Sequence, residues 1–266
     1  MDPDSYLARL GVDPRTVDST DRATLERLQR AHVRTVPFET VAITGDPAGE
    51  IEGRGVSLDP EAIYEKVIGR ERGGFCYELN GLFGRLLAEF GFDVDRVAAR
   101  VLEDGELTPP ASHMTHVVSL DRRYVVDVGM GIPTMRRPTP LDGSIREGPV
   151  GVTWRAVESD RPDADFLVQF RENGDGWTDR YVFDARPRET AYFRATCDHL
   201  TTAPESGFTG DPVASMATGE GHKKLDADSL ARFTPEGVVE EEVSASEWTD
   251  VLEREFGISL RSESAE

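Results

Sequence analysis

A thiol attacks a carbonyl well only after it gives up its proton, and this chain has two cysteines and five histidines with which to arrange that. One cysteine, Cys76, stands in RGGFCYELN, the stretch from Arg72 to Asn80. Beyond it Leu79, Leu82, Phe83, Leu86, Leu87 and Phe90 recur at three-and-four spacing, with Gly91 to stop them. The spacing predicts a helix whose N-terminus carries Cys76 on the inward face. Unpaired N–H groups and the helix dipole at such an end favour a thiolate. Gly73 and Gly74 lack a Cβ and would let a substrate approach the backbone. The competing reading is inert packing, the commoner state of an isolated cysteine.

A base is offered by THVVSLDRRYVVDVGMG, which reads as a β-hairpin with Asp121 and Arg122 at its turn. A two-residue loop pairs Leu120 with Arg123 and sets His116 directly opposite Asp127, on one face of the sheet. Any even loop keeps the two together, whereas an odd one separates them, and Asp-Arg is no strong turn signal. Asp127 lies among Val125, Val126 and Val128, so an ionised carboxylate there needs a partner. His116 is the expected one, its ring oriented by Asp127 and its other nitrogen free to take the thiol proton. A surface cross-strand pair without a catalytic task is the alternative. No acid stands at a defined register from His32, His113, His199 or His222, which read as structural or solvated. Cys197, in RATCDHL, has no helix-start signal and reads as packing.

The elements that must position these groups follow in order. Two amphipathic helices are expected in DRATLERLQRAHVRTVPFET and in DPEAIYEKVIGR, the latter with Asp59 as cap and Pro60 at its first position. From about Val94 the runs are short, β-branched or aromatic, and separated by Gly, Pro and Asp, which predicts an antiparallel sheet or barrel. A last helix is expected in SASEWTDVLEREFGI, capped by Ser244 or Ser246. Helices, then strands, then a mixed tail make the fold class α+β.

Composition narrows the function. The formal charge is −20, from 50 Asp and Glu against 30 Lys and Arg, which argues against nucleic acid or anionic lipid as partner. Only Lys66, Lys223 and Lys224 are lysines. This acidic, arginine-rich balance resembles that of halophilic haloarchaeal proteins, whose carboxylate surfaces stay hydrated in concentrated salt. No apolar run is long enough for a membrane span and MDPDSYLARL lacks the pattern of a signal peptide, so a cytoplasmic location is expected. The two cysteines lie outside any CxxC pair, and no metal is expected.

RGGFCYELN, THVVSL and YVVDVGMG, in that order, resemble the arylamine N-acetyltransferases. LQRAHVRTVPFE, the ARV after the cysteine helix and TTAPESGF agree with the same family, so the resemblance runs over nearly the full length. It implies a papain- or transglutaminase-like triad core, with a helical domain over 1–93, an antiparallel β-barrel over 94–194 and an α/β lid over 195–266. It implies a ping-pong acyltransferase using acetyl-coenzyme A as co-substrate and an aromatic amine or hydrazine as acceptor. Cys76 matches the acetylated cysteine, His116 the base and Asp127 the orienting acid. Phe38 matches an acceptor-pocket position, and Thr115, Gly129, Gly131 and Phe208 match positions near the cofactor and the site mouth. Two departures stand out: Met130 replaces the usual Phe between the glycines, and the His116–Asp127 connection is short. Arg136 and Arg137 are candidates for meeting the phosphates of coenzyme A. Rival readings with the same residues are a family-type amide synthase, a transglutaminase- or protease-like hydrolase, and a non-catalytic binding module.

Overall fold

Aspartates start the first long helices. The computed structural model describes residues 1–148, 150–172 and 175–260. In it Asp2 caps α1 (Pro3–Leu10), Asp21 caps α2 (Arg22–Thr35) and Asp59 caps α4 (Pro60–Tyr64), each carboxylate accepting from N–H groups of the first turn. A short α3 (Val41–Thr44) lies between, and α4 runs on into a π turn over Glu65–Gly69. The apolar stripe after the glycines forms α5 (Cys76–Glu89), with Cys76 its first helical residue. Leu25 and Leu28 of α2 meet Leu79, Leu82, Phe83, Leu86 and Leu87 of α5 in one buried cluster.

Strand β1 (Phe38–Glu39) precedes the main sheet. That sheet is built from β2 (Asp93–Glu103), β3 (Glu106–Leu107), β4 (His113–Ser119), β5 (Arg123–Val126), β6 (Thr139–Pro140), β7 (Arg146–Glu147), β8 (Val152–Glu158), β9 (Phe166–Glu172) and β10 (Thr178–Asp184). The order is β6-β5-β4-β2-β10-β9-β8-β7, with β3 paired to β2, and every pairing is antiparallel. Just past β6, the Gly143 N–H donates to the Ala156 carbonyl of β8 at 2.9 Å, so the sheet nearly closes into a barrel. Val97, Val117, Val125, Trp154, Val168, Tyr181 and Phe183 fill its interior.

After α6 (Arg194–Thr202) come β11 (Ala214–Ala217), β12 (His222–Leu225), β13 (Ser229–Thr234), β14 (Gly237–Glu242) and α7 (Trp248–Phe256). These four strands join β1 in a second antiparallel sheet, order β1-β11-β12-β13-β14, onto which α7 packs Trp248, Val251 and Leu252. Neither Ser244 nor Ser246 caps α7: Glu247 holds the cap position, and the Ser244 hydroxyl bonds to the Glu247 carboxylate instead. The fold is the α+β arrangement of helices and a near-barrel that the sequence predicts.

Strands β4 and β5 are buried on both faces, and this matters for the site. Val117 and Val125 face the barrel interior, whereas Val118 and Val126 join the helical cluster. Among the described residues no helix is long and apolar enough to cross a membrane.

Candidate active site

The loop before α5 is pinned from behind by charge. Glu39, fully buried, meets Arg72 at 3.1 Å and Lys66 at 3.3 Å; Lys66 also reaches Glu78 at 2.7 Å. Glu78 in turn accepts from the Phe75 N–H at 2.8 Å and so holds the residue before the thiol. Gly73 and Gly74 serve this loop rather than a substrate. A Cβ on Gly73 would lie 2.5 Å from the Pro37 carbonyl oxygen, and one on Gly74 would press on Leu79 and Glu78. The expectation that they open the backbone to a ligand is thus overturned, because β1 occupies that space: Glu39 N–H donates to Gly74 O and Gly74 N–H to Pro37 O.

Cys76 is buried and lines a cavity of about 470 Å³. Burial pushes its thiol well above the ordinary value, Cys197, Asp127 and Glu78 add in the same direction, and the Tyr77 N–H opposes them. A helix N-terminus contributes about 0.3–1 kcal/mol, less than one pKa unit, whereas full burial shifts a group by as much as about 3–5 units. Burial wins, so the helix end by itself does not make a thiolate here.

The imidazole facing this cavity is His113, not His116. The β4–β5 ladder pairs Ser119 with Arg123 and His116 with Val126, leaving Leu120, Asp121 and Arg122 as a three-residue loop. That odd loop slips the expected register by one residue, which in a strand moves a side chain to the other face. Continued one step, the register sets Asp127 opposite Thr115 and diagonal to His113, within reach of a long side chain. His113 Nε2 meets Asp127 Oδ2 at 2.7 Å, and His113 lines the same cavity as Cys76. His116, equally buried, lies on the helical face with its Nε2 toward Gly84 of α5 and bonds neither Cys76 nor Asp127. The apparent shortness of the His116–Asp127 connection disappears with the change of histidine.

Asp127 is held at both carboxylate oxygens and at its carbonyl. Its Oδ1 accepts from Asn80 Nδ2 and from the Gly129 N–H, each at 3.0 Å, and its carbonyl accepts from Gln29 Nε2 at 3.3 Å. Burial would raise its pKa, but His113 foremost, with Asn80 and the Gly129 N–H, outweighs this and keeps it below the ordinary carboxylate value. Asn80 also donates to the Met114 carbonyl at 2.7 Å and accepts from the Val128 N–H at 3.0 Å, so it ties the nucleophile helix to both strands. Its signal was in the sequence: it follows Cys76 by four residues, one turn along the same face. The Tyr181 ring packs on the His113 ring at 5.4 Å between centroids.

Gly129 closes the site. A Cβ there would lie 2.9 Å from Cys76 Cα and 2.7 Å from Asn80 Nδ2, so only glycine lets the strand end pass against the thiol. Phe38, Gly129, Met130, Gly131 and Phe208 all line the cavity. Thr115 does not: it is buried, and its hydroxyl donates to the Val126 carbonyl at 3.0 Å. Arg136 and Arg137 are also elsewhere. The first donates to the Thr218 and Gly221 carbonyls, and the second pairs with Glu26 at 2.9 Å. Arg180, not singled out in the sequence, and His199, read there as structural or solvated, do line the cavity, with Arg180 donating to the Met130 carbonyl at 3.0 Å. Cys197 packs in the cluster around Cys76, Phe75 and Tyr77.

Comparison with known proteins places relatives beside this chain. A family model described as N-acetyltransferase matches residues 21–265. An arylamine N-acetyltransferase of Mycolicibacterium smegmatis is 32% identical over 98% of this chain and 93% of its own length. Proansamycin X synthase of Amycolatopsis mediterranei is 32% identical over 75% of this chain and 74% of its own. The solved structure of Mycobacterium marinum arylamine N-acetyltransferase in complex with CoA superposes with a TM-score of 0.85 at 28% identity, covering 98% of this chain and 94% of that one.

Proposed function

The chain belongs to the arylamine N-acetyltransferase family, and from that premise we propose that it moves an acetyl group from acetyl-coenzyme A to an aromatic amine or hydrazine through an acetyl-Cys76 intermediate. The observation that carries the reading is a buried thiol and a carboxylate-held imidazole, Cys76 and His113, opening into one cavity.

His113 gives its Nε2 to Asp127, so Nδ1 is the nitrogen left for the thiol proton. Because burial holds Cys76 protonated, proton transfer to His113 generates the nucleophile, and the resulting imidazolium sits against the Asp127 carboxylate. The sulfur attacks the thioester carbonyl carbon. Backbone N–H groups at the start of α5 stabilise the oxyanion, and the coenzyme A thiolate leaves with the proton from His113. In the second half the amine nitrogen attacks the acetyl-cysteine, His113 takes the amine proton, and the Cys76 sulfur departs. Ping-pong kinetics follow. Met130, a flexible thioether in the wall, favours an acceptor pocket that adapts its shape. The acidic composition fits a cytoplasm rich in salt, and both cysteines are free thiols, as a reducing compartment requires.

The test is to mix the protein with acetyl-coenzyme A without acceptor and map adducts by mass spectrometry. An added acetyl group on Cys76, discharged by an aromatic amine, is the expected result. A folded protein that stays unlabelled would favour amide synthesis from another acyl donor or peptide hydrolysis. Ligand binding unchanged in Cys76→Ala, with no turnover in the parent, would favour a binding module.

A further inference from the structure

A second cavity, of about 330 Å³, opens behind the nucleophile helix and shares no lining residue with the one that holds Cys76. Its walls are Gly84, Arg85 and Ala88 of α5, the β2 residues Val94, Asp95 and Arg96, His116 of β4, and the segment Pro187–Glu189. The register of β2 and β4 sets Arg96 directly opposite His116. Cross-strand partners lie on the same face about 4.5–5.5 Å apart, so a guanidinium and an imidazole stand side by side.

Neither group has a bonded carboxylate partner among the described residues, although Glu189 acts on Arg96, and Asp127 on His116, through space. His116 is 1% exposed, and its Nδ1 has no hydrogen-bond partner among the described residues. A buried polar atom left unpaired is destabilising, and a ligand that bonds it removes that penalty. Arg96 forms no ion pair among the described residues. Its Nη1 makes one long bond, 3.4 Å, to the Arg188 carbonyl, and its Nε has no partner. Arg85 and Arg188 add positive charge at the rim, where Arg85 pairs with Glu61 at 3.9 Å and Arg188 with Asp184 at 3.2 Å. The carboxylates Asp95 and Glu189 also line the cavity. Burial and the neighbouring Arg96 both keep His116 neutral, so its ring presents one donor and one acceptor rather than a second full charge. Gly84 gives the ring its place, since a Cβ there would lie 2.2 Å from His116 Nε2.

We propose that this cavity binds a small oxyanion, a phosphate or carboxylate group, held by the Arg96 guanidinium and the His116 ring. Arg96 offers the planar donor fork that matches such oxygens, and the histidine donates from Nδ1. The site is separate from acyl transfer and stands whether or not that reading holds.

Inorganic phosphate is the probe, titrated into the whole chain at constant ionic strength while the ring ¹⁵N signals of its five histidines are followed by NMR. Saturable shifts confined to His116, weakened at least tenfold in Arg96→Gln, are expected. The Arg96→Lys variant, which keeps the charge but loses the fork, should fall between. A His116 signal that does not move up to 50-fold the protein concentration and beyond to about 20 mM phosphate, or shifts equally in Arg96→Gln, overturns the proposal. If Arg96→Gln does not fold, Arg188→Gln at the half-exposed rim gives the same reading with a smaller loss. Acetate in place of phosphate tells a carboxylate site from a phosphate site.

Discussion

His113 and His116 are three residues apart and almost equally buried, yet one contacts Asp127 and the other faces the helix. The difference predicts opposite outcomes for the same substitution. His113→Gln should slow acetylation of Cys76 by about 10²–10⁴-fold, the range of a positioned acid–base group, while His116→Gln should leave it within a few fold. Rapid-quench labelling with acetyl-coenzyme A measures both, and equal loss in the two would refute the assignment. Asn80→Ala, which removes an Asp127 contact without touching sulfur, should lower the labelling rate and shift its pH profile more than it lowers stability. Gly129→Ala should be worse than either in expression and melting temperature, because the added Cβ meets backbone at 2.8–2.9 Å.

At the scale of elements, the helices were legible because their signals are local. Asp59 and Pro60 start α4, and the stripe from Leu79 to Leu87 lies on the inner face of α5 as its spacing requires. The β4–β5 hairpin was legible as a hairpin but not in its register. A strand with one wet face reports its register through alternation, and β4 is buried from His113 through Val118, so that signal is absent. The turn gave no help, since Leu120-Asp121-Arg122 holds no glycine or asparagine to mark its length. The buried Glu39, Arg72, Lys66 and Glu78 cluster joins β1, the π turn and α5 beneath the thiol loop, and no local pattern announces it. Glu39→Gln removes the carboxylate that Lys66 and Arg72 share and should destabilise by about 1.5–3 kcal/mol, read as a lowered urea midpoint with unchanged slope. A loss under 1 kcal/mol would show that the cluster is not closed to water.

For the whole molecule, acid sensitivity follows from buried neutral histidines. Burial first, with nearby arginines, depresses His32 and His116 to about 3 and His222 to about 4, against 6.5 when exposed. From pH 6.5 down to about 4 the unfolded chain therefore binds protons that the folded one refuses, and stability falls as pH falls. Each histidine contributes up to about 1.4 kcal/mol per pH unit. Stability should thus drop steeply below pH 6.5, before the carboxylates Glu39 and Asp127, held below the ordinary carboxylate range by their buried partners, begin to titrate. His32→Leu, between the Tyr6 and Phe83 rings, should make the dependence shallower by about a third in chemical denaturation run from pH 7 to 4.5. An unchanged slope would count against it. The −20 charge acts in the same molecule by self-repulsion, which concentrated salt screens as the Debye length falls from about 10 Å at 0.1 M to 3 Å at 1 M. The melting temperature should therefore rise with potassium chloride.

The order of residues alone determined that a thiol begins a buried helix, that an acid lies in an apolar strand, and that helices precede an antiparallel sheet, because capping, spacing and apolar period act over a few neighbours. Which histidine completes the site depended on the parity of one loop. That parity was settled by packing two valine faces, Val117 with Val125 and Val118 with Val126, against two different cores, a choice that exists only once distant segments have come together.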